Sequence, residues 1–185
     1  MTKPLIFPRI YQLKISLNDI SPEIWRRFLV ESDISLGDLH YIIQAVMGWE
    51  NDHLYQFEVR RTRYVDPFCV DRYNNEGDVN LMTLEEAFTR VGCKCEYTYD
   101  FGDCWKHKIV LEKTFDPVPG EKYPRCLEGE RRCPPEDCGG TYMYDYKLSA
   151  FSDPEYEEHE EIKERLGDDF DPELFDVDKV NRRLR

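Results

Sequence analysis

Residues 93–115 read CKCEYTYDFGDCWKHKIVLEKTF. Two runs of alternating character meet at Asp100-Phe101-Gly102-Asp103, the residue types that build tight turns, so the stretch predicts an antiparallel hairpin. Its first strand sets Cys95, Tyr97, Tyr99 and Phe101 on one face, and its second sets Trp105, His107, Ile109 and Leu111 on one face. Tyr97 and Trp105 are therefore expected in the core of a sheet.

The flanking segments supply the rest of that sheet. Upstream, Tyr11, Leu13, Ile15 and Leu17 alternate with polar residues, and IWRRFLVE alternates again after NDISP, which predicts an opening hairpin. The period then changes. In SLGDLHYIIQAVMGW, residues 35–49, the apolar positions Leu36, Leu39, Ile42, Ile43, Val46 and Met47 make a helical stripe, with Ser35 and Asp38 as a capping box and Gly48 as a left-handed stop. HLYQFEVRR, starting at His53, returns to period two as a third strand. Residues 66–80 carry the turn formers of a surface excursion. TLEEAFTRVGC predicts a short helix, with Thr83 and Glu86 as its capping box, Leu84, Ala87, Phe88 and Val91 as its buried stripe and Gly92 as its end. A long loop rich in Pro, Gly and Cys is expected up to Gly140. Two Asp-Pro pairs, at 153–154 and 171–172, read as starts of C-terminal helices with Asp153 as N-cap and Pro154 at the first helical position.

Short links and hairpins give an α+β class: a single domain with a mostly antiparallel sheet, two packed helices and a helical C-terminal segment. The core is expected over 9–152 and the helical segment over 153–185. The chain of 185 residues is 41% hydrophobic and 14% aromatic, enough to bury a core. No run approaches the ~18 apolar residues of a transmembrane span, and the Met-Thr-Lys-Pro opening lacks an apolar leader, so no membrane is expected and a cytoplasmic location is. The formal net charge of −13 disfavours nucleic acid, which is bound through a basic footprint. Much of the excess is local, since residues 153–178 hold 13 acids and two bases. A protein or small-molecule ligand is the better expectation for a partner.

Three stretches bear on chemistry. Asp100, Asp103 and His107 place two carboxylates at a hairpin turn with an imidazole on the outgoing strand, a set suited to a divalent metal, and His53 and Asp137 are further candidates. Against this, Asp and Gly are ordinary turn residues, and His107 shares its face with Trp105, Ile109 and Leu111. In GERRCPPEDCGG, residues 129–140, the diproline and the glycine pair predict a rigid brace closing over the sheet, with Asp137 held by backbone amides or an arginine. Cys126, Cys133 and Cys138 offer three thiols to zinc, but their spacing is not that of paired knuckles, and structural zinc, a local disulfide and free thiols all remain open. Arg26 and Arg27 beside Trp25, and Arg60, Arg61 and Arg63 beside Tyr64, would suit stacking on bases or pairing with phosphates. No phosphate-binding loop, dinucleotide fingerprint, zinc-protease helix or nucleophile elbow is present.

HLYQF at 53–57, YDFGDCWKH at 99–107, CPPEDCGG at 133–140 and DPEYEEH at 153–159, in that order, resemble the plasmid Orf-3-like proteins first noted on an Ri plasmid. The resemblance spans roughly residues 9–180. Relatives include insertion-sequence passenger proteins, and the family carries no established activity. Cys104 stands where family hairpins often have a second Asp, and Tyr55 where a second His is frequent. The leading reading is a binding or accessory module with a cleft between hairpin 100–107 and loop 126–140. The alternatives are a metal-dependent hydrolase using Asp100, Asp103 and His107, and a nucleic-acid-associated accessory protein.

Overall fold

The computed structural model describes residues 8–71 and 74–185. Its centre is the expected hairpin: β6 (Lys94–Tyr99) pairs antiparallel with β7 (Trp105–Phe115), Tyr97 opposite His107 and Tyr99 opposite Trp105. The opening hairpin, β1 (Ile10–Leu17) and β2 (Trp25–Glu31), joins through β1 against β7, with a bulge at Gln12/Leu13. β3 (Tyr55–Val59) pairs with β6 on the other side. β4 (Thr62–Val65), β5 (Gly77–Asp78) and β8 (Arg125–Glu130) complete a sheet of order β5-β4-β3-β6-β7-β1-β2-β8, antiparallel except for the β4–β5 pair.

The alternation read from sequence sets the layers. Leu13, Ile15, Phe28, Val30, Phe57, Val59, Tyr97, Tyr99, Trp105, Ile109 and Leu111 are all buried on one side. The main cover on that side is α1 (Leu36–Met47), started by the Ser35/Asp38 capping box and stopped by Gly48 at φ 108°. α2 (Leu84–Ala87) starts from the Thr83/Glu86 box. The two N-caps form a bridge, since Leu36 N donates to Met82 O and Leu84 N to Ile34 O, so both helices leave from one strip of backbone.

Several expectations are corrected. α2 is one turn and ends at Ala87, leaving Val91 half-exposed; the Phe88 backbone has already left the helical region. Phe101 is exposed because the strand stops at Tyr99 and the turn carries its ring away from the core. The excursion at 66–80 is not all surface: Gly77–Asp78 extends the sheet and Val79 is fully buried, while residues 72 and 73 of that stretch lie outside the described residues. β4 follows a two-residue turn in which Arg60 and Arg61 both have positive φ, 50° and 69°, without the Asn or Gly that announces such turns. β8 and α3 (Gly140–Ser152) lie where the loop and its sequel were expected.

The Asp-Pro pairs also behave differently. Asp153 and Asp171 each accept from the amide two residues on, Glu155 N and Glu173 N, closing turns rather than opening helices. α4 (His159–Leu166) begins later, and α5 (Val177–Arg183) takes Asp176 as its N-cap. This C-terminal segment packs on the sheet: Asn181 exchanges two hydrogen bonds with the Cys126 backbone on edge strand β8, and Phe170 and Val180 join the core. Among the described residues no helix is long and apolar enough to cross a membrane.

Candidate functional site

Segment 49–54, between α1 and β3, is fixed by polar side chains that the helix carries inward. His40 and Gln44, one turn apart on the buried face, flank the Tyr97 hydroxyl. Gln44 Nε2 donates to Tyr97 OH, which donates to His40 Nδ1 at 2.8 Å. His40 Nε2 donates to Asn51 Oδ1 at 2.6 Å, and Asn51 N returns a bond to Gln44 Oε1 at 3.0 Å. The ring of bonds closes on itself with a neutral imidazole, and burial pushes the His40 pKa down to about 4. Tyr55 stacks on that imidazole with ring centroids 3.5 Å apart.

The tethered segment delivers His53 to a junction with the hairpin turn and loop 131–139. Asp100, at φ 54°, is buried, and its Oδ1 accepts from Gly102 N at 2.8 Å and lies 3.7 Å from His53 Nδ1. On the other side of the ring, Asp137 Oδ1 lies 3.1 Å and Glu136 Oε2 3.9 Å from His53 Nε2. His53, Asp100 and Asp137 are the one set of three His, Cys, Asp or Glu residues among the described residues whose ligand atoms all fall within 4.8 Å. His53 Nε2 and Glu136 Oε2 are buried and make no hydrogen bond. Glu136 Oε1 is fully engaged, accepting from Glu50 N at 2.9 Å and from Tyr99 OH at 3.0 Å, and burial together with that carboxylate raises the Tyr99 pKa.

The brace reading of loop 129–140 fits this geometry, although different residues carry it. Trp49 Nε1 donates to Pro134 O at 3.0 Å, and Gly139 N donates to Asp103 Oδ2 at 2.8 Å. Gly140 is required there because a Cβ would sit 2.6 Å from Asp103 O. Asp137, expected to be held by amides or an arginine, instead turns its side chain out at 79% exposure toward His53.

The Asp100–Asp103–His107 set is not assembled. Asp103 is spent on Gly139, and His107 faces the core at 0% exposure, its Nδ1 3.3 Å from Tyr97 O and its ring edge-on to Trp49. Burial pushes the His107 pKa down to about 4. The thiols of Cys126, Cys133 and Cys138 are not gathered either. All seven cysteines are free, and burial raises these three, Cys126 to about 11 and Cys138 to about 12, so each remains a protonated thiol. Of the arginines weighed for nucleic acid, four are engaged within the chain: Arg26 with Val46 O, Trp25 O and Glu130 O, Arg27 with Glu112 and Glu128, Arg60 with Glu86 O, and Arg63 with Glu76.

Sequence reasoning missed His40, Gln44 and Asn51 as parts of the site; Glu136 could be read as an acceptor of backbone hydrogen bonds, which it is toward Glu50 N, but not as a neighbour of His53. Two polar residues four apart inside an apolar helical stripe were the available signal for His40 and Gln44.

The family model described as plasmid pRiA4b ORF-3-like protein matches residues 9–179. The chain belongs to that family. Within the ORF-3-like family, the uncharacterized protein y4hQ of Sinorhizobium fredii is 37% identical over 179 residues, covering 95% of this chain and 90% of its own length. The crystal structure of MM3350, a protein of unknown function from Methanosarcina mazei Go1, is similar with a TM-score of 0.86 and 38% identity, over 95% of this chain and 99% of that one. This chain and MM3350 thus share a fold at that level of identity, and neither relative's name assigns a reaction.

Proposed function

We propose that the protein is a cation-dependent binding module whose centre is His53, Asp100 and Asp137, with Glu136 at its inner wall. The observation that carries this is that His53 Nε2 and Glu136 Oε2, both buried and neither hydrogen-bonded, face one another 3.9 Å apart, with Asp137 Oδ1 3.1 Å from the same nitrogen. A buried polar atom without a partner is costly, and a divalent cation between an imidazole and carboxylates removes that cost. Asp100 on the far ring nitrogen matches the outer-sphere carboxylate that orients a metal-bound histidine. Mixed nitrogen and oxygen donors favour Zn or Mn over Ca. With Asp137 exposed at the junction between the turn after β6 and loop 131–139, a cation bound there would keep positions open for an oxygen-donor ligand.

Calorimetric titration of metal-stripped protein with Zn²⁺ and Mn²⁺ tests this. One equivalent should bind, and binding should be lost in His53→Ala and Asp137→Asn but kept in Cys126→Ala. No heat with either metal, or loss only in the cysteine variant, overturns the proposal. The hydrolase reading survives in one form, because the free Glu136 Oε2 stands where a proton acceptor for bound water would be needed. Turnover of a nitrophenyl ester or phosphodiester by the Mn-loaded parent and not by Glu136→Gln would favour it.

A further inference from the structure

Arg26 lies on the inward face of β2, in step with Phe28 and Val30, and is 2% exposed. Its Nε donates to Val46 O, and its Nη1 to Trp25 O and Glu130 O, so the guanidinium caps the C-terminal end of α1. The place is built for it. Gly129 opposite leaves room, since a Cβ there would stand 2.8 Å from Arg26 Cδ and 3.0 Å from Phe175 Cζ, and the guanidinium stacks 4.4 Å over the Phe175 ring. Yet Nη2 makes no hydrogen bond among the described residues. Arg26 forms no ion pair among the described residues, and the titratable groups beside it, Cys126 and Cys133, are kept by burial as neutral thiols. A buried arginine without a counter-ion is unusual, because buried charges are normally paired.

Arg26 also lines a pocket of about 260 Å³ between the end of α1, loop 132–136 and segment 174–183. Arg132 and Lys179 line the same pocket and form no ion pair among the described residues; Arg132 lies over the Phe170 ring. Arg183 is spent on Gly48 O, Trp49 O and Glu50. Of the acids on the wall, Glu136 accepts from Glu50 N and Tyr99 OH through Oε1 alone, and Asp176 caps the start of α5 and lies 3.9 Å from Arg182; neither forms an ion pair with Arg26, Arg132 or Lys179. Trp49, Met47, Pro134, Phe175 and Val180 make the remainder apolar. In a chain of net charge −13, a hollow lined by four cations and two acids, with three of the cations outside any ion pair among the described residues, is a local reversal of sign.

We infer that this pocket binds a small organic anion, its carboxylate or phosphate group taken by Arg26, Arg132 and Lys179 and its apolar body by Trp49 and Phe175. Guanidinium groups suit planar oxyanions, and an apolar hollow with few convergent polar groups is the usual form of a small-molecule site. The inference does not rest on the cation centre, although Glu136 belongs to both: its Oε2 faces His53 and the residue also lines this pocket.

The test uses full-length protein stripped of metal on a chelating resin. Benzoate, phenyl phosphate, inorganic phosphate and, as a neutral control, benzamide are titrated while Trp49 emission and calorimetric heat are followed. Benzoate or phenyl phosphate should bind at least tenfold more tightly than benzamide, and which of the two is tighter names the head group. Bound ligand should also raise the Tm, since only the folded state binds it. Arg132→Ala/Lys179→Ala removes charges that make no ion pair and so should fold; it should weaken binding at least tenfold, while His53→Ala leaves it unchanged. Equal affinity for benzamide, no binding at millimolar concentration, or full binding in the double variant overturns the inference. So does binding by inorganic phosphate alone that neither aryl anion improves.

Discussion

The β6–β7 hairpin and the junction above its turn are a few residues apart and are built on opposite terms. In the hairpin, Tyr97, Tyr99, Trp105 and His107 are all fully buried and their neighbours follow from alternation alone. At the junction, three segments distant in sequence (49–53, 100–104 and 133–139) converge through hydrogen bonds, and the histidine there remains 26% exposed. His107 and His53 mark the difference. The first is held neutral by apolar packing, and the second faces carboxylates. An imidazole's chemistry is decided by what surrounds it, and here one ring lies among apolar side chains and the other among carboxylates.

The largest expected effect falls on the hairpin. Trp105→Ala should cost about 3–5 kcal/mol, read as a fall in the urea midpoint at unchanged slope. An unchanged midpoint would break the contrast, because the floor would then not depend on its largest buried ring.

The next effect is one of pH. His107 is held near pKa 4 in the folded state against about 6.5 when unfolded, so between those values the unfolded chain binds a proton that the folded chain does not. Stability is then full above pH 6.5 and declines as pH falls toward 4, by on the order of 3 kcal/mol for this residue. His40 titrates in the same window and direction. Urea midpoints at pH 7, 6 and 5 should fall for the parent and fall less steeply for His107→Gln. An equal slope in the variant would place the proton uptake elsewhere.

A smaller pair sharpens the comparison at the loop. Cys133→Ala removes a buried group and should cost about 1 kcal/mol, whereas Asp137→Asn, at an exposed side chain, should stay within about 0.5 kcal/mol. The same Asp137→Asn should abolish Zn²⁺- or Mn²⁺-induced stabilisation in thermal melts, and Cys133→Ala should retain it. The opposite pattern would return the cysteines to the role of ligands.

Alternation and capping were legible in the sequence because they are local. Tyr97, Trp105 and Leu111 declared their face through period two, α1 declared both ends through Ser35, Asp38 and Gly48, and α2 its start through Thr83 and Glu86. The eye was misled where local chemistry has two outcomes. Asp-Pro at 153 and 171 closes a turn as readily as it opens a helix, and Arg60-Arg61 takes a glycine's conformation because β3 and β4 pair on either side. β8 was hidden by its weak alternation and by Gly129, whose absent side chain serves Arg26 and Phe175 rather than the strand.

Local pattern in the chain is enough to specify an α+β sheet, its central hairpin and its covering helix. It also placed Asp100, His53 and Asp137 among the residues worth weighing. Only the tertiary structure decided that these three meet while Asp103 and His107 do not, that Glu136 completes their wall, and that Arg26 is buried without a counter-ion. The reason is physical. Strand and helix periods fix which way a side chain points within its own element, whereas a site depends on how far separated segments approach, and that is set by backbone bonds such as Gly139 to Asp103 and Asn51 to Gln44, which no periodicity encodes.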